Sequence, residues 1–295
     1  MKPDFLRSCI LGLAVGDALG VPVEFSHRSE LDADPVTTMR GFGTYHKCAG
    51  TWSDDTSMTL CALEAKADLT ATAENFVRWL SEGAFTTDGD VFDVGGTCSR
   101  AIRAYALSRD VTTCGQTGEF SCGTGALMRI IPFALFAPGD YDAVERGAAL
   151  THNTPRCRVA CGIYAAILWE LKQEQSREAV PRGLERARDH YAGNPEWAHF
   201  APLMELENRS RSSISGSGYV VDTLEAALWC LLTTDNDASC VLRAVNLGQD
   251  TDTVAAIAGG LAGALYGAAA IPSDWLTTLQ NRDLIESLCR SASGV

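Results

Sequence analysis

Convincing alternation of β-branched with polar residues is nearly absent from this chain, and apolar stretches without strand periodicity take its place. Helical signals run through residues 54–67, 72–80, 101–106, 141–150, 158–173, 182–191, 222–232 and 253–267. Two of these segments, VACGIYAAILWEL and VVDTLEAALWCLL, are apolar round most of their circumference, which predicts central helices in a many-helix globule. The fold class expected is all-α. The polar stretch 172–211 reads as a solvated amphipathic helix plus loop, and 212–218 (SSISGSG) as a flexible connector. No boundary separates the motifs on either side of it, so residues 1–295 are read as one domain.

Two segments imitate membrane signals. Residues 9–23 follow Lys2 and Arg7 as a signal peptide would, but Asp17 interrupts the apolar run and no convincing small-x-small cleavage pattern follows. Residues 254–272 hold 19 uncharged positions, close to a spanning length. Twelve of them are Ala or Gly, which contribute little to insertion, so a tightly packed internal helix is expected. The 11 cysteines lie scattered in apolar stretches without a C-x-x-C, as buried reduced thiols of a cytoplasmic protein would. Lys and Arg total 24 against 37 Asp and Glu, a formal charge of −13 that repels phosphate backbones and anionic lipid. Neither nucleic acid nor membrane is therefore expected as a partner.

Two Asp-rich helix starts carry the strongest chemical signal. Trp52-Ser53-Asp54-Asp55-Thr56 and Gly248-Gln249-Asp250-Thr251-Asp252-Thr253 each lead into an apolar helix. Ser53 is a natural N-cap, and carboxylates in a first turn favour the helix dipole. Capping accounts for one or two of these residues, not for four carboxylates with hydroxyls beside them. Brought together, Asp54, Asp55, Asp250 and Asp252 would repel one another strongly unless cations balance them. An oxygen-only donor set suits Mg²⁺, Mn²⁺ or Ca²⁺ rather than Zn²⁺, and two divalent ions would roughly balance the charge. Twin capping and a binuclear metal site both remain open on residue types alone.

Four weaker features accompany them. Asp17, a turn or cap residue, and Glu24 are the only acids in a long apolar segment, and Glu24 between Val23 and Phe25 suits a general base. Glu119 precedes Gly123-Thr124-Gly125, a Gly-x-Gly that offers backbone N–H groups to a phosphate or merely makes a tight turn. Ser217-Gly218-Tyr219 lets a ligand approach, with Tyr219 as a stacking ring or a core residue. His152 follows Thr151 as a lone histidine, more often structural than functional.

Taken in order, these segments resemble the ADP-ribosylglycohydrolase family. The matches are GDALG (16–20) with Glu24, WSDDT (52–56), DVGGT (93–97), GTGALMR (123–129), TH (151–152), SGYVVDTL from Ser217, and GQDTDTVAAIAG (248–259). The resemblance implies an all-α orthogonal multi-helix bundle with two divalent ions, Mg²⁺ or Mn²⁺, in a central cleft. By motif position the ligands would be Ser53, Asp54, Asp55, Asp250, Asp252 and Thr253, with Glu24, Asp54, Asp55 and Asp252 serving catalysis. Asp93, Glu119, Gly123, Gly125, His152, Ser217 and Tyr219 would contact substrate. Three departures from the family pattern are Ser53 in place of Thr, Thr124 in place of Asn and Gln249 in place of Gly. Members that act on ADP-ribosyl-arginine carry an Asp matching Asp93, whose carboxylate can fork a guanidinium. Capping of a helix that begins near Gly96 is the other account of Asp93. The activity implied is removal of ADP-ribose from protein arginine, by a monomer that binds the ADP-ribosylated protein and ADP-ribose. Hydrolysis of O-linked ADP-ribose, seryl or acetyl, is the alternative. A non-catalytic, crystallin-like member is a third reading, against which the four retained aspartates argue.

Overall fold

A computed structural model describes residues 3–294 and holds no β-strand among them, only three isolated bridges. Its helices are α1 (Pro3–Gly20), α2 (Arg28–Ala33), α3 (Asp54–Glu64), α4 (Leu69–Glu82), α5 (Gly96–Ser108), α6 (Ile131–Phe136) and α7 (Tyr141–Ala149). They continue as α8 (Pro155–Gln173), α9 (Ala179–His190), α10 (Val220–Leu232), α11 (Asp237–Val245), α12 (Thr251–Tyr266), α13 (Ser273–Thr278) and α14 (Arg282–Ser293). The all-α reading of the sequence thus holds, and α8 and α10, apolar on most sides, are buried along nearly their whole length.

The packing axis is the antiparallel pair α1 and α12. Gly12, Gly16 and Gly20 recur every four residues on one stripe of α1 and face Gly259, Ala255 and Asp252 of α12. A Cβ added at Gly12 would lie 2.1 Å from the Gly259 carbonyl oxygen, and one at Gly16 would lie 2.0 Å from that of Ala255. Only bare Cα atoms allow this approach, which explains the Ala- and Gly-rich composition of α12. The stretch 254–272 is not one helix: α12 stops at Tyr266, and Gly267 turns the chain at φ 80°. The 20-residue span Asp4–Val23 is long and apolar enough to cross a membrane, but 94% of its most apolar window is buried inside the fold.

Six helices were not apparent from periodicity: the six-residue α2, α6 and α13, and the longer α1, α11 and α14. α1 is apolar nearly all round, so its stripe carries little contrast. α11 is short and is capped by Asn236, whose side chain accepts from the Ser239 amide at 2.9 Å. α14 is amphipathic and docks on α1 through a two-pronged pair between Arg7 and Glu286, both bonds 2.7 Å. The stretch 54–67 ends early because Lys66 and Ala67 take left-handed backbone angles after Glu64. The connector 212–218 is anchored rather than free. Arg28 donates to the carbonyls of Arg211, Ile214 and Leu247, Ile214 is buried, and Gly216 packs against the Gly248 carbonyl.

Candidate active site

Close approach of α1 and α12 sets the last turn of α1 beside the first turn of α12. A Cβ at Gly20 would meet the Asp252 Cα at 2.3 Å, and the Thr251 hydroxyl donates to the Gly20 carbonyl at 2.9 Å. Asp17, on that same last stretch of α1, reaches the start of α3. Its carboxylate accepts from the Ser53 amide at 2.8 Å, the Thr56 amide at 3.0 Å and the Thr56 hydroxyl at 2.6 Å. Asp17 therefore caps a helix other than its own. Ser53 is the N-cap of α3 and also donates to Asp55 Oδ2 at 3.2 Å, an oxygen that accepts from the Thr253 hydroxyl of α12 at 3.3 Å. The two Asp-rich helix starts, 198 residues apart between Asp55 and Thr253, are thereby joined.

Capping does not consume their carboxylates. Asp250 occupies the N-cap position of α12 without a side-chain capping bond. Asp55 Oδ1, Asp252 Oδ2 and Glu24 Oε2 are buried and have no hydrogen-bond partner among the described residues. Two trios, Asp17–Asp55–Asp252 and Glu24–Asp250–Asp252, each bring one oxygen per residue within 4.8 Å of the others. Asp17 is already engaged by three donors, so the open oxygens belong to Asp55, Asp252, Asp250 and Glu24. Burial drives the carboxyls of Asp54, Asp55 and Asp252 well above the usual carboxylate range, with neighbouring carboxylates adding to it. Burial likewise pushes Asp17 and Asp250 up to about 6. Unpartnered buried carboxylate oxygens from the starts of α3 and α12 and from the turn after α1 are costly unless protons or cations occupy the space between them. The residues present fit hard divalent cations: the donors are all oxygen, anionic and convergent.

Beyond this cluster opens a cleft of about 430 Å³, lined by Glu24, Asp54, Asp93, Gly123, Gly125, His152, Ser217, Asp250 and Thr253 among others. Burial, then the charges of Asp93 and Asp250, pushes the Glu24 carboxyl up to about 9. Asp93 has φ 56°, a left-handed angle uncommon outside glycine, and does not cap α5: Gly95 holds that cap position without any side-chain bond. Its Oδ1 instead accepts from the Tyr45 hydroxyl at 2.6 Å. The Tyr45 loop folds over Glu24, since the Thr44 hydroxyl donates to the Glu24 carbonyl at 2.8 Å.

The Gly-x-Gly is shaped by its neighbours. A Cβ at Gly125 would lie 2.5 Å from Cys98 Sγ and 2.7 Å from His152 Cε1, so only glycine lets the loop sit on that ring. Gly218 is similar, its missing Cβ being 2.8 Å from Asp250 Oδ2. Thr124 and Gln249 both line the cleft, and Gln249 takes φ 69°, where glycine is at ease.

Two expected contacts are not brought into the cleft. Glu119 is exposed and outside the lining, because the loop turns outward before Ser121. Tyr219 pairs its backbone with the Gly123 segment, but its hydroxyl accepts from Arg156 at 3.0 Å, away from the lining. Ser53, Asp55 and Asp252 lie beneath the cleft floor rather than on its surface. Sequence reasoning missed Tyr45 altogether and took Asp17 only as a turn or local cap. No local pattern marks a tyrosine whose partner lies 48 positions away.

The family model described as ADP-ribosylglycohydrolase matches residues 2–295. An ADP-ribosylarginine hydrolase, Tri1, of Serratia proteamaculans is 34% identical over 97% of this chain and 78% of its own. The ADP-ribosyl-(dinitrogen reductase) glycohydrolase of Rhodospirillum rubrum is 36% identical over 94% of this chain and 90% of its own. A solved structure titled ADP-ribosylglycohydrolase-related protein complex superposes with a TM-score of 0.83 at 31% identity, covering 98% of this chain and 97% of that one.

Proposed function

The chain belongs to the ADP-ribosylglycohydrolase family and is a glycohydrolase enzyme, and we propose that it hydrolyses the N-glycosidic bond between ADP-ribose and a protein arginine. The observation that carries the arginine reading is Asp93: a carboxylate on the cleft wall, free of any capping duty and held by the Tyr45 hydroxyl at Oδ1. A guanidinium is planar, permanently charged and strongly selective for such a carboxylate.

Asp54, Asp55, Asp250 and Asp252, with Ser53 and Thr253, are the residues that would hold two divalent ions, Mg²⁺ or Mn²⁺. Bound there, the ions would supply charge compensation and Lewis acidity to the reaction. The protein's own groups do the rest. Asp93 orients the guanidinium leaving group, and Tyr45 fixes Asp93. Glu24 Oε2, buried and unpartnered, is the atom at which a proton is held and moved, its affinity falling when cations enter beside it. Backbone amides of 123–125 and 217–218 approach the diphosphate, and the cleft walls keep bulk water from the reacting carbon.

The substrate in this reading is a protein bearing ADP-ribosyl-arginine, met in the cytoplasm by a monomer whose anionic surface suits neither nucleic acid nor an anionic membrane. The test is release of ADP-ribose from arginine-, serine- and acetyl-linked substrates, with and without Mg²⁺ or Mn²⁺. Turnover of the arginine linkage alone, and only with metal, is the outcome expected. Equal or faster turnover of the O-linked substrates would sink the arginine assignment.

A further inference from the structure

We propose that Arg129, acting through Thr151, is a positioning residue that fixes His152 as the tautomer protonated on Nε2, so that the ring presents a hydrogen-bond donor to the cleft. Arg129 has no accessible surface and no carboxylate partner among the described residues. A buried guanidinium is costly unless something compensates it. Here the compensation comes from the C-terminal end of α7, where Arg129 donates to the carbonyls of Gly147 at 3.1 Å and Ala148 at 3.5 Å. Its guanidinium carbon also lies 4.9 Å from the centre of the Phe76 ring.

The third contact of Arg129 sets the direction of a relay. It donates to the Thr151 hydroxyl oxygen at 2.8 Å. A guanidinium only donates, so that oxygen must accept and its own hydrogen is left to find an acceptor. Thr151 is itself fully buried, and His152 Nδ1 lies 3.0 Å from its oxygen. A ring nitrogen that accepts carries no proton, which places the proton of a neutral imidazole on Nε2. The ring is neutral because burial, with the Arg129 charge beside it, lowers His152 to about 3. Nε2 has no protein partner among the described residues. It faces the glycine loop, 3.6 Å from where a Cβ of Gly123 would stand. Without the relay, either tautomer would be available, and one of them presents a lone pair that repels a ligand oxygen.

This inference deepens the ADP-ribose reading and depends on it only for the identity of the ligand. Histidine tautomers are measured directly on the ligand-free, ¹⁵N-histidine-labelled protein by long-range ¹H–¹⁵N spectra, with the His152 signals assigned by their loss in His152→Gln. The wild type should show unprotonated Nδ1 and protonated Nε2 as a single form. Thr151→Val should give a tautomer mixture and bind ADP-ribose about tenfold more weakly by calorimetry, and Thr151→Ser should restore both. A protonated Nδ1 in the wild type overturns the relay even if no variant folds. So does a folded Thr151→Val with unchanged tautomer and affinity. Failure of the wild type to bind ADP-ribose at all would instead count against the functional reading, while the tautomer result stood on its own.

Discussion

The Tyr45 hydroxyl donates a 2.6 Å hydrogen bond to Asp93 Oδ1, tying together two loops 48 residues apart. The tie is one of several. Lys47 pairs with Asp88 at 3.1 Å and Asp90 at 2.8 Å and lies over the Phe92 ring, on which Tyr45 also packs with centroids 5.0 Å apart. These contacts hold Asp93 in its left-handed backbone conformation, a strain of order 1–3 kcal/mol that surrounding structure must compensate. One carboxylate oxygen is thus committed to Tyr45, while the carboxyl as a whole lines the cleft beside Glu24.

Asp93→Asn keeps the size and some hydrogen bonding of the side chain but deletes the charge that selects a guanidinium. Loss of a charge-assisted pair should cost on the order of 1.5–3 kcal/mol, roughly 10- to 150-fold in kcat/KM on arginine-linked substrate. Free ADP-ribose has no guanidinium and should bind almost unchanged. Equal losses on arginine- and serine-linked substrates would remove Asp93 from leaving-group recognition.

Tyr45→Phe removes the bond that orients Asp93, together with the hydroxyl's approach to Glu24, and leaves the ring on Phe92. A neutral donor to a carboxylate is worth about 1.5 kcal/mol, so kcat/KM on the arginine linkage should fall roughly tenfold with little change in melting temperature. A double-mutant cycle with Asp93→Asn should show the two losses to be non-additive. Full additivity would mean that Tyr45 acts elsewhere.

The acid cluster makes opposite predictions for the metal-free and metal-bound protein. Asp252→Asn or Asp55→Asn removes a repelling buried carboxylate, so the melting temperature in chelator should stay level or rise. The same variants should lose the stabilisation given by added Mg²⁺ or Mn²⁺, which for the wild type amounts to about 2.7 kcal/mol at a hundred times Kd. A wild type that takes up no divalent ion at millimolar concentration in calorimetry would end the binuclear proposal.

Stability should also depend on pH in a direction set by burial. Asp17 and Asp250 are raised to about 6 and Glu24 to about 9, so the folded state holds protons that the unfolded chain releases near pH 4. Where the folded state binds more protons, stability falls as pH rises. In chelator, the contribution of these groups is present below about pH 4, fades between pH 4 and 6 for the aspartates, and continues to fade towards pH 9 for Glu24. Saturating Mn²⁺ should flatten that slope. Melting curves from pH 5 to 9 in chelator and in Mn²⁺ test it, and parallel slopes would contradict it.

How much of this was legible beforehand follows from what kind of interaction makes each feature. Ser53, Asp54, Asp55, Asp250, Asp252 and Thr253 announce themselves because chemistry needs them adjacent at helix starts. Asp93 was visible as a carboxylate, but its freedom from capping was not, since only coordinates show Gly95 in the cap position. Tyr45 and the inter-helix role of Asp17 were hidden because their partners are distant in sequence. Glu119 and Tyr219 adjoin motif residues in sequence, yet only coordinates show that neither is among the residues lining the cleft. The glycine stripe of α1 stood in plain view, yet its meaning depends on a partner helix more than 200 residues away, as the Thr251–Gly20 bond illustrates.

That stripe yields the last prediction, since it carries both stability and site assembly. Gly16→Ala would set a methyl group 2.0 Å from the Ala255 carbonyl oxygen and 2.5 Å from its carbon, both backbone atoms of a helix that cannot turn aside. The helices must separate, an overpacking cost of about 1–3 kcal/mol or more. Gly267→Ala is the contrasting change. Its Cβ meets nothing within 4 Å, so its cost comes from the backbone alone, since φ 80° with ψ 159° is a conformation open to little but glycine and strains an alanine by about 1–3 kcal/mol. Separation of α1 from α12 also draws Asp17 and Glu24 away from Asp252, because Gly20 is where the two helices touch beside the cluster. Gly16→Ala should therefore weaken Mn²⁺ binding as well as lower the melting temperature, whereas Gly267→Ala should lower the melting temperature alone. Parallel thermal melts and metal titrations on the two variants check this. If Gly16→Ala loses stability but binds Mn²⁺ as the wild type does, the helix pair supports the fold without setting the spacing of the acids.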